Sequence, residues 1–146
     1  MEETMDKRPT FHTQFTIETS ASPEAIWALF RDVQGWTRWN AGIESIALEG
    51  PFAVGSEFVM KPPGEAALRS LLTEVRENEC FVDETRLGDL VIAVAHKIER
   101  LDASRTRITY AVDAQGEAAA EIGPMISADF PEVLAALAAT AEERRS

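Results

Sequence analysis

Apolar and polar residues alternate along this chain from Phe11 to Ala114, with one interruption around residues 22–40, and apolar residues then recur at three and four from Ile122 to Ala141. A period of two is that of half-buried strands, and a period of three to four is that of an amphipathic helix. The alternating part divides at turn residues into Phe11–Thr19, Ile43–Leu48, Glu57–Met60, Leu68–Arg76, Glu79–Arg86, Leu90–Leu101 and Arg105–Ala114. Breaks fall at Glu49-Gly50-Pro51, Lys61-Pro62-Pro63-Gly64, Glu77-Asn78, Gly88-Asp89 and Asp102–Ser104, where Gly, Pro, Asn and Asp favour reversal. Short connections between consecutive strands imply antiparallel pairing.

The interruption reads S-P-E-A-I-W-A-L-F-R-D-V-Q-G-W-T-R-W-N and holds all three tryptophans, Trp27, Trp36 and Trp39. Ser22 is placed to cap a helix, Pro23 suits its first position, and Glu24 faces the positive end of its dipole. This predicts a helix over 23–31 and a second short one over about 33–39. In the closing stripe, Ile122, Met125, Ile126, Phe130, Val133, Leu134, Leu137 and Ala141 share one face. Pro131 lies inside it and predicts a kink or a division near Ser127 to Asp129. The order is strand, two short helices, six strands, long helix: an α+β domain whose seven-stranded antiparallel sheet curves around the C-terminal helix.

Strand parity then selects candidate chemistry. Leu90, Ile92, Val94, His96 and Ile98 share one face of the sixth strand, and Ile108, Tyr110 and Val112 one face of the seventh. His96 and Tyr110 are thereby aimed at the interior, where such a pair can orient a carbonyl or phenol or move a proton. A hydrogen-bonded packing histidine and a tyrosine that is simply wall satisfy the same parity. Phe58 and Met60 share a face of the third strand, Leu71, Thr73 and Val75 one of the fourth, and Phe81, Asp83 and Thr85 one of the fifth. Asp83 is thus expected inside or at the rim, unless a bulge reverses the parity and turns Glu84 inward. Arg69 shares the parity of Leu71 and Thr73 and is the one candidate inner cation. With so little inner positive charge, a neutral or weakly acidic ligand is favoured over an anionic one.

Composition narrows the field. One hundred and forty-six residues, 45% of them hydrophobic, suffice for a single domain over residues 11–146 with a substantial core. The first ten residues are of mixed charge without an apolar run, and read as a flexible tail rather than a secretory leader. A formal charge of −11 disfavours nucleic acid and anionic membrane surfaces, and no apolar run predicts a membrane-spanning helix. The composition is that expected of a cytoplasmic protein. Cys80, the only cysteine, reads as a buried structural thiol, and two histidines, His12 and His96, are too few for a histidine-rich metal site. No cofactor-binding, zinc-protease or nucleophile-elbow motif is present.

Taken together, S-P-E-A-I-W, F-R-D-V-Q-G-W-T-R-W-N, the Gly50–Gly55 hairpin, H-K-I-E-R, T-R-I-T-Y and G-P-M resemble the START-like or Bet v 1-like superfamily. Within it they most resemble the polyketide cyclase/dehydrase and lipid-transport (SRPBCC) family. The resemblance runs from Phe11 to about Glu143 and implies a helix-grip fold with an elongated apolar cavity between sheet and closing helix. It implies a small hydrophobic or partly aromatic ligand and no cofactor. The cavity walls would be Phe58, Met60, Leu71, Thr73, Phe81, Ile92, Val94, His96 and Tyr110 from the sheet. Met125, Ile126, Phe130 and Leu134 would contribute from the helix, with Trp39 and Asn40 at the entrance. His96, Tyr110 and Asp83 are the candidates for catalysis of the cyclase or dehydratase kind. Two rival readings follow from the same resemblance: a carrier or sensor without chemistry, and a chaperone-activator-like interaction protein with a filled core and an apolar patch near Phe52 to Val54 or the closing helix. An exposed edge strand leaves pairing into a homodimer open.

Overall fold

The computed structural model describes residues 10–143. The expected N-terminal tail lies outside them, save Thr10. Seven strands form one antiparallel sheet: β1 (Thr10–Thr19), β2 (Ser45–Glu49), β3 (Glu57–Lys61), β4 (Leu68–Arg76), β5 (Cys80–Leu87), β6 (Leu90–Asp102) and β7 (Arg105–Gln115). Their spatial order is β1-β7-β6-β5-β4-β3-β2, so every hairpin joins neighbours and β1 closes beside β7. The tight β4–β5 turn places Asn78 at φ 65°, a left-handed conformation that asparagine tolerates.

Helix α1 (Pro23–Arg31) starts as its residues dictate: the Ser22 hydroxyl accepts from the Ala25 N–H at 3.1 Å, and proline occupies the first turn. It buries Ile26, Trp27, Leu29 and Phe30. A 3₁₀ helix, Val33–Arg38, follows and is tied to α1 by the Trp36 indole N–H, which donates to the Phe30 carbonyl at 2.9 Å. The closing helix is divided, as Pro131 predicts, into α2 (Ala119–Ser127) and α3 (Phe130–Glu143). Pro131 then falls in the first turn of α3, where its missing N–H costs nothing. Together the two helices are long and apolar enough to cross a membrane by length and composition. Their role in this fold is different: Val133, Leu134, Leu137 and Ala141 are buried against α1 and the concave face of the sheet.

This is the helix-grip arrangement, and it produces two packed regions. One lies under α1 and α3 and contains Phe30, Trp36, Leu72, Phe81, Ile108 and Leu137. The other lies under α2 and contains Leu90, Ile92, Val94 and Val112. Phe130, at the start of α3, packs against both. Each large apolar side chain buried here contributes about 1.5–3 kcal/mol.

One strand departs from simple alternation. The β4–β5 register shifts between Leu72 and Glu74, leaving Thr73 as the extra residue of a β-bulge. Before the bulge, Ser70 pairs with Thr85 and Leu72 with Asp83, so the inward residues are Leu68, Ser70 and Leu72. After it, Val75 pairs with Phe81 and is again inward. Leu71 and Thr73, expected inside, therefore face outward. Arg69 is outward as well, its guanidinium bonded to Glu49 at 2.6 Å and Glu57 at 2.9 Å.

Candidate functional site

Between the two packed regions, beneath the helix break, lies a cavity of about 440 Å³. That is enough for a drug-sized molecule. The sheet contributes Phe58 and Met60 from β3, Phe81 and Asp83 from β5, Ile92, Val94 and His96 from β6, and Tyr110 from β7. The divided helix contributes Met125, Ile126 and Phe130, and the segment after the 3₁₀ helix contributes Trp39 and Asn40. Twelve of the fifteen expected wall residues, and the catalytic candidate Asp83 with them, meet around one space. Leu71 and Thr73 do not, because of the bulge, and Leu134 does not, because it is packed fully into the core on the α1 side of α3. Met125 is at the mouth rather than in the interior, with 67% of its surface exposed.

Parity reasoning missed several wall residues. Trp36 is one: it both seals the core and lines the cavity. Leu68 and Ser70 were hidden by the bulge. Asp129 sits in the break between α2 and α3, at a position a continuous helical stripe does not single out. The division imposed by Pro131 was the available signal.

At the deep end, polar groups converge within an aromatic cluster. The His96 ring stacks on Phe81, with centroids 3.9 Å apart and an interplanar angle of 7°, and meets Tyr110 edge-on at 4.6 Å. Phe30 packs edge-on against both Phe81 and His96. His96 Nδ1 lies 3.3 Å from the Phe81 carbonyl. A carbonyl only accepts, so this contact assigns the proton to Nδ1 and leaves the Nε2 lone pair free. Nε2 stands 3.8 Å from Asp83 Oδ2, beyond hydrogen-bond range.

Asp83 faces inward with 8% of its surface exposed, while Glu84 points outward and pairs with Arg86. Burial alone pushes the Asp83 carboxyl up to about 7. Burial also holds the His96 imidazole down to about 3, outweighing the help of the Phe81 carbonyl. The Tyr110 phenol is raised, by burial first and by the charge of Asp83 second. Charge is thus disfavoured on every member. Near neutral pH His96 is uncharged and Asp83 is close to half-protonated, so the two do not form an ion pair. Such an arrangement can donate or accept one proton within an apolar enclosure. Asp129 is also raised, chiefly by burial, with Glu132 adding to it. No group of three or more potential metal ligands occurs among the described residues. Cys80 is buried against Glu74, and burial pushes its thiol up, which fits a structural role.

Comparison with solved structures shows the same fold at low identity. A norcoclaurine synthase point mutant from Thalictrum flavum superposes with a TM-score of 0.79 at 14% identity, covering 97% of this chain and 100% of that one. The Zhui aromatase/cyclase from Streptomyces sp. R1128 gives 0.80 at 15% identity, covering 94% and 97%. Ara h 8.0201 gives 0.74 at 14% identity, covering 92% and 99%. No curated protein matches the sequence. A model of the family described as polyketide cyclase / dehydrase and lipid transport matches residues 10–142, and with that span of sequence and this fold the chain belongs to that family.

Proposed function

We propose that the protein binds a small, planar, partly aromatic molecule in the cavity beneath the closing helix, and that Asp83 exchanges a proton with the polar group of that molecule. The observation that carries this reading is Asp83 itself. A carboxyl nine-tenths buried, opening into a ligand-sized apolar space and poised near 7, is costly to keep and of use mainly for acid–base work. His96 lies behind it as a neutral acceptor, and Tyr110 closes the far side as a donor. Family membership and the aromatase/cyclase among the similar structures fit chemistry of the cyclase or dehydratase kind. In that chemistry, positioning and exclusion of water supply most of the rate, and one proton transfer completes it.

A second reading, a carrier without chemistry, is favoured by the bond between His96 and the Phe81 carbonyl, which gives the histidine a packing role. Native mass spectrometry of the purified protein, then titration of Trp36 and Trp39 fluorescence with planar polyphenols, quinones and fatty acids, tests occupancy. Saturable binding of a planar aromatic supports the cavity reading. Turnover lost in Asp83→Asn but retained in a wall variant such as Met60→Leu supports the enzyme. Binding with no turnover of any bound compound leaves the carrier. No binding across the panel sinks both.

A further inference from the structure

We infer that the polar group of the ligand is a cation, an amine entering as its ammonium form, and that Asp83 and His96 together hold it. The inference rests on the cavity reading above and adds the charge class of the ligand.

The first observation is geometric. With the His96 proton on Nδ1, two acceptors face the cavity side by side: Asp83 Oδ2 and His96 Nε2, 3.8 Å apart. A single nitrogen at about 2.9 Å from each spans that gap, and an ammonium has three hydrogens with which to do so. A hydroxyl has one and can satisfy only one of the two. A carboxylate has none. Among the described residues no hydrogen bond to the Asp83 side chain is found, and that Nε2 stands 3.8 Å from it. The fold takes this carboxyl out of water and bonds no donor of its own to it, which leaves that bond to be made by the ligand.

The second observation is the charge of the wall. Its acids stand at three depths: Glu65 exposed at the rim, Asp129 half-buried in the helix break, Asp83 at the deep end. Among the described residues no lysine or arginine lines the space. Arg69, the candidate inner cation, is held on the outer face by Glu49 and Glu57, and Lys61 turns to Glu44. His96 does not offset the acids, since burial keeps it neutral. A low-dielectric channel carrying one sign of charge focuses the field inward and admits the opposite sign. An anion meets repulsion at every depth, and a neutral alcohol uses neither the field nor the second acceptor.

Three matched probes test this: 2-naphthylmethylamine, 2-naphthylmethanol and 2-naphthoate, titrated calorimetrically into the full chain at about pH 8, where Asp83 is ionised and the amine still protonated. The expected result is amine binding about tenfold or more tighter than the alcohol, with the naphthoate weakest. In Asp83→Asn the preference for amine over alcohol falls to about twofold or less, and Asp129→Asn lowers it partway. Thermal melts of both variants confirm that they are folded. Equal or tighter binding of the alcohol or naphthoate, or an amine preference that survives Asp83→Asn, overturns the inference and leaves the cavity reading standing. Failure of all three probes to bind overturns both.

Discussion

Asp83 and His96 are titratable in opposite senses, and their joint effect on stability has a recognisable shape. Asp83 ionises near 3.8 when unfolded and near 7 when folded, so the folded state keeps a proton that the unfolded state has lost. Its contribution is present below pH 4, declines as pH rises, and is gone above 7. His96 runs the other way, from 6.5 unfolded to about 3 folded. Its contribution is present above 6.5 and is lost as pH falls toward 3. Between pH 4 and 6.5 each state holds one proton on the pair, so the two slopes cancel. Asp83→Asn removes one side of this balance. Its stability should climb with pH across that window, and relative to wild type it should gain on the order of 3–4 kcal/mol between pH 4 and pH 8. Urea denaturation of both proteins at pH 4.5, 6 and 8 measures the difference, with all other titrating groups cancelling; a constant difference would mean that Asp83 is solvated. The inward aim of this pair was legible in the sequence, since Phe81-x-Asp83 and Val94-x-His96 alternate without interruption. Its consequence was not, because a pKa depends on which donors lie across the cavity, and parity within a strand does not report them.

At the scale of elements, the position of the closing helix depends on one absent side chain. Gly123 in α2 is buried against β1, and a Cβ there would lie 2.8 Å from Phe11 Cγ, inside the ring's contact distance. Alanine is the better helix former by up to about 1 kcal/mol, but the clash costs about 1–3 kcal/mol, so the clash wins. Gly123→Ala should therefore destabilise the protein in wild type and stabilise it in a Phe11→Ala background, with the sign reversing across a double-mutant cycle followed by urea denaturation. The same sign in both backgrounds would place the helix elsewhere. Elements were the most legible level: β4 matches its expected bounds of Leu68–Arg76, and the helix divides where Pro131 required. What escaped was the bulge at Thr73. Val75 is apolar and inward, and counting back from it by two reaches Thr73, Leu71 and Arg69, all of which face out. Leu68, Ser70 and Leu72 carried the opposite parity in the same stretch. Nothing within the strand says where the phase changes, because a bulge is defined by the partner strand.

For the molecule as a whole, the fold places an aromatic cluster at the deep end and an open space beside it, and only the space is free to vary. Phe30, Phe81, His96 and Tyr110 interlock, so changing any of them disturbs the core as well as the cavity. Val94 is different: it lines the cavity from β6 and belongs to the smaller packed region under α2. Val94→Trp would extend an indole into the roughly 440 Å³ that is otherwise open, where overpacking is not forced. A ligand that binds only the folded state adds about 2.7 kcal/mol at a hundredfold excess over its Kd, about 8 °C in Tm for a chain of this length. Wild type should show that rise with a bound aromatic amine. Val94→Trp should melt within a few degrees of wild type and show none. Differential scanning fluorimetry of both proteins across a ligand series separates a hollow core from a filled one. If the Val94→Trp protein still gains the full shift, the ligand lies outside the cavity, and the rim around Leu87 and Met125, which is exposed and apolar, becomes the surface to test.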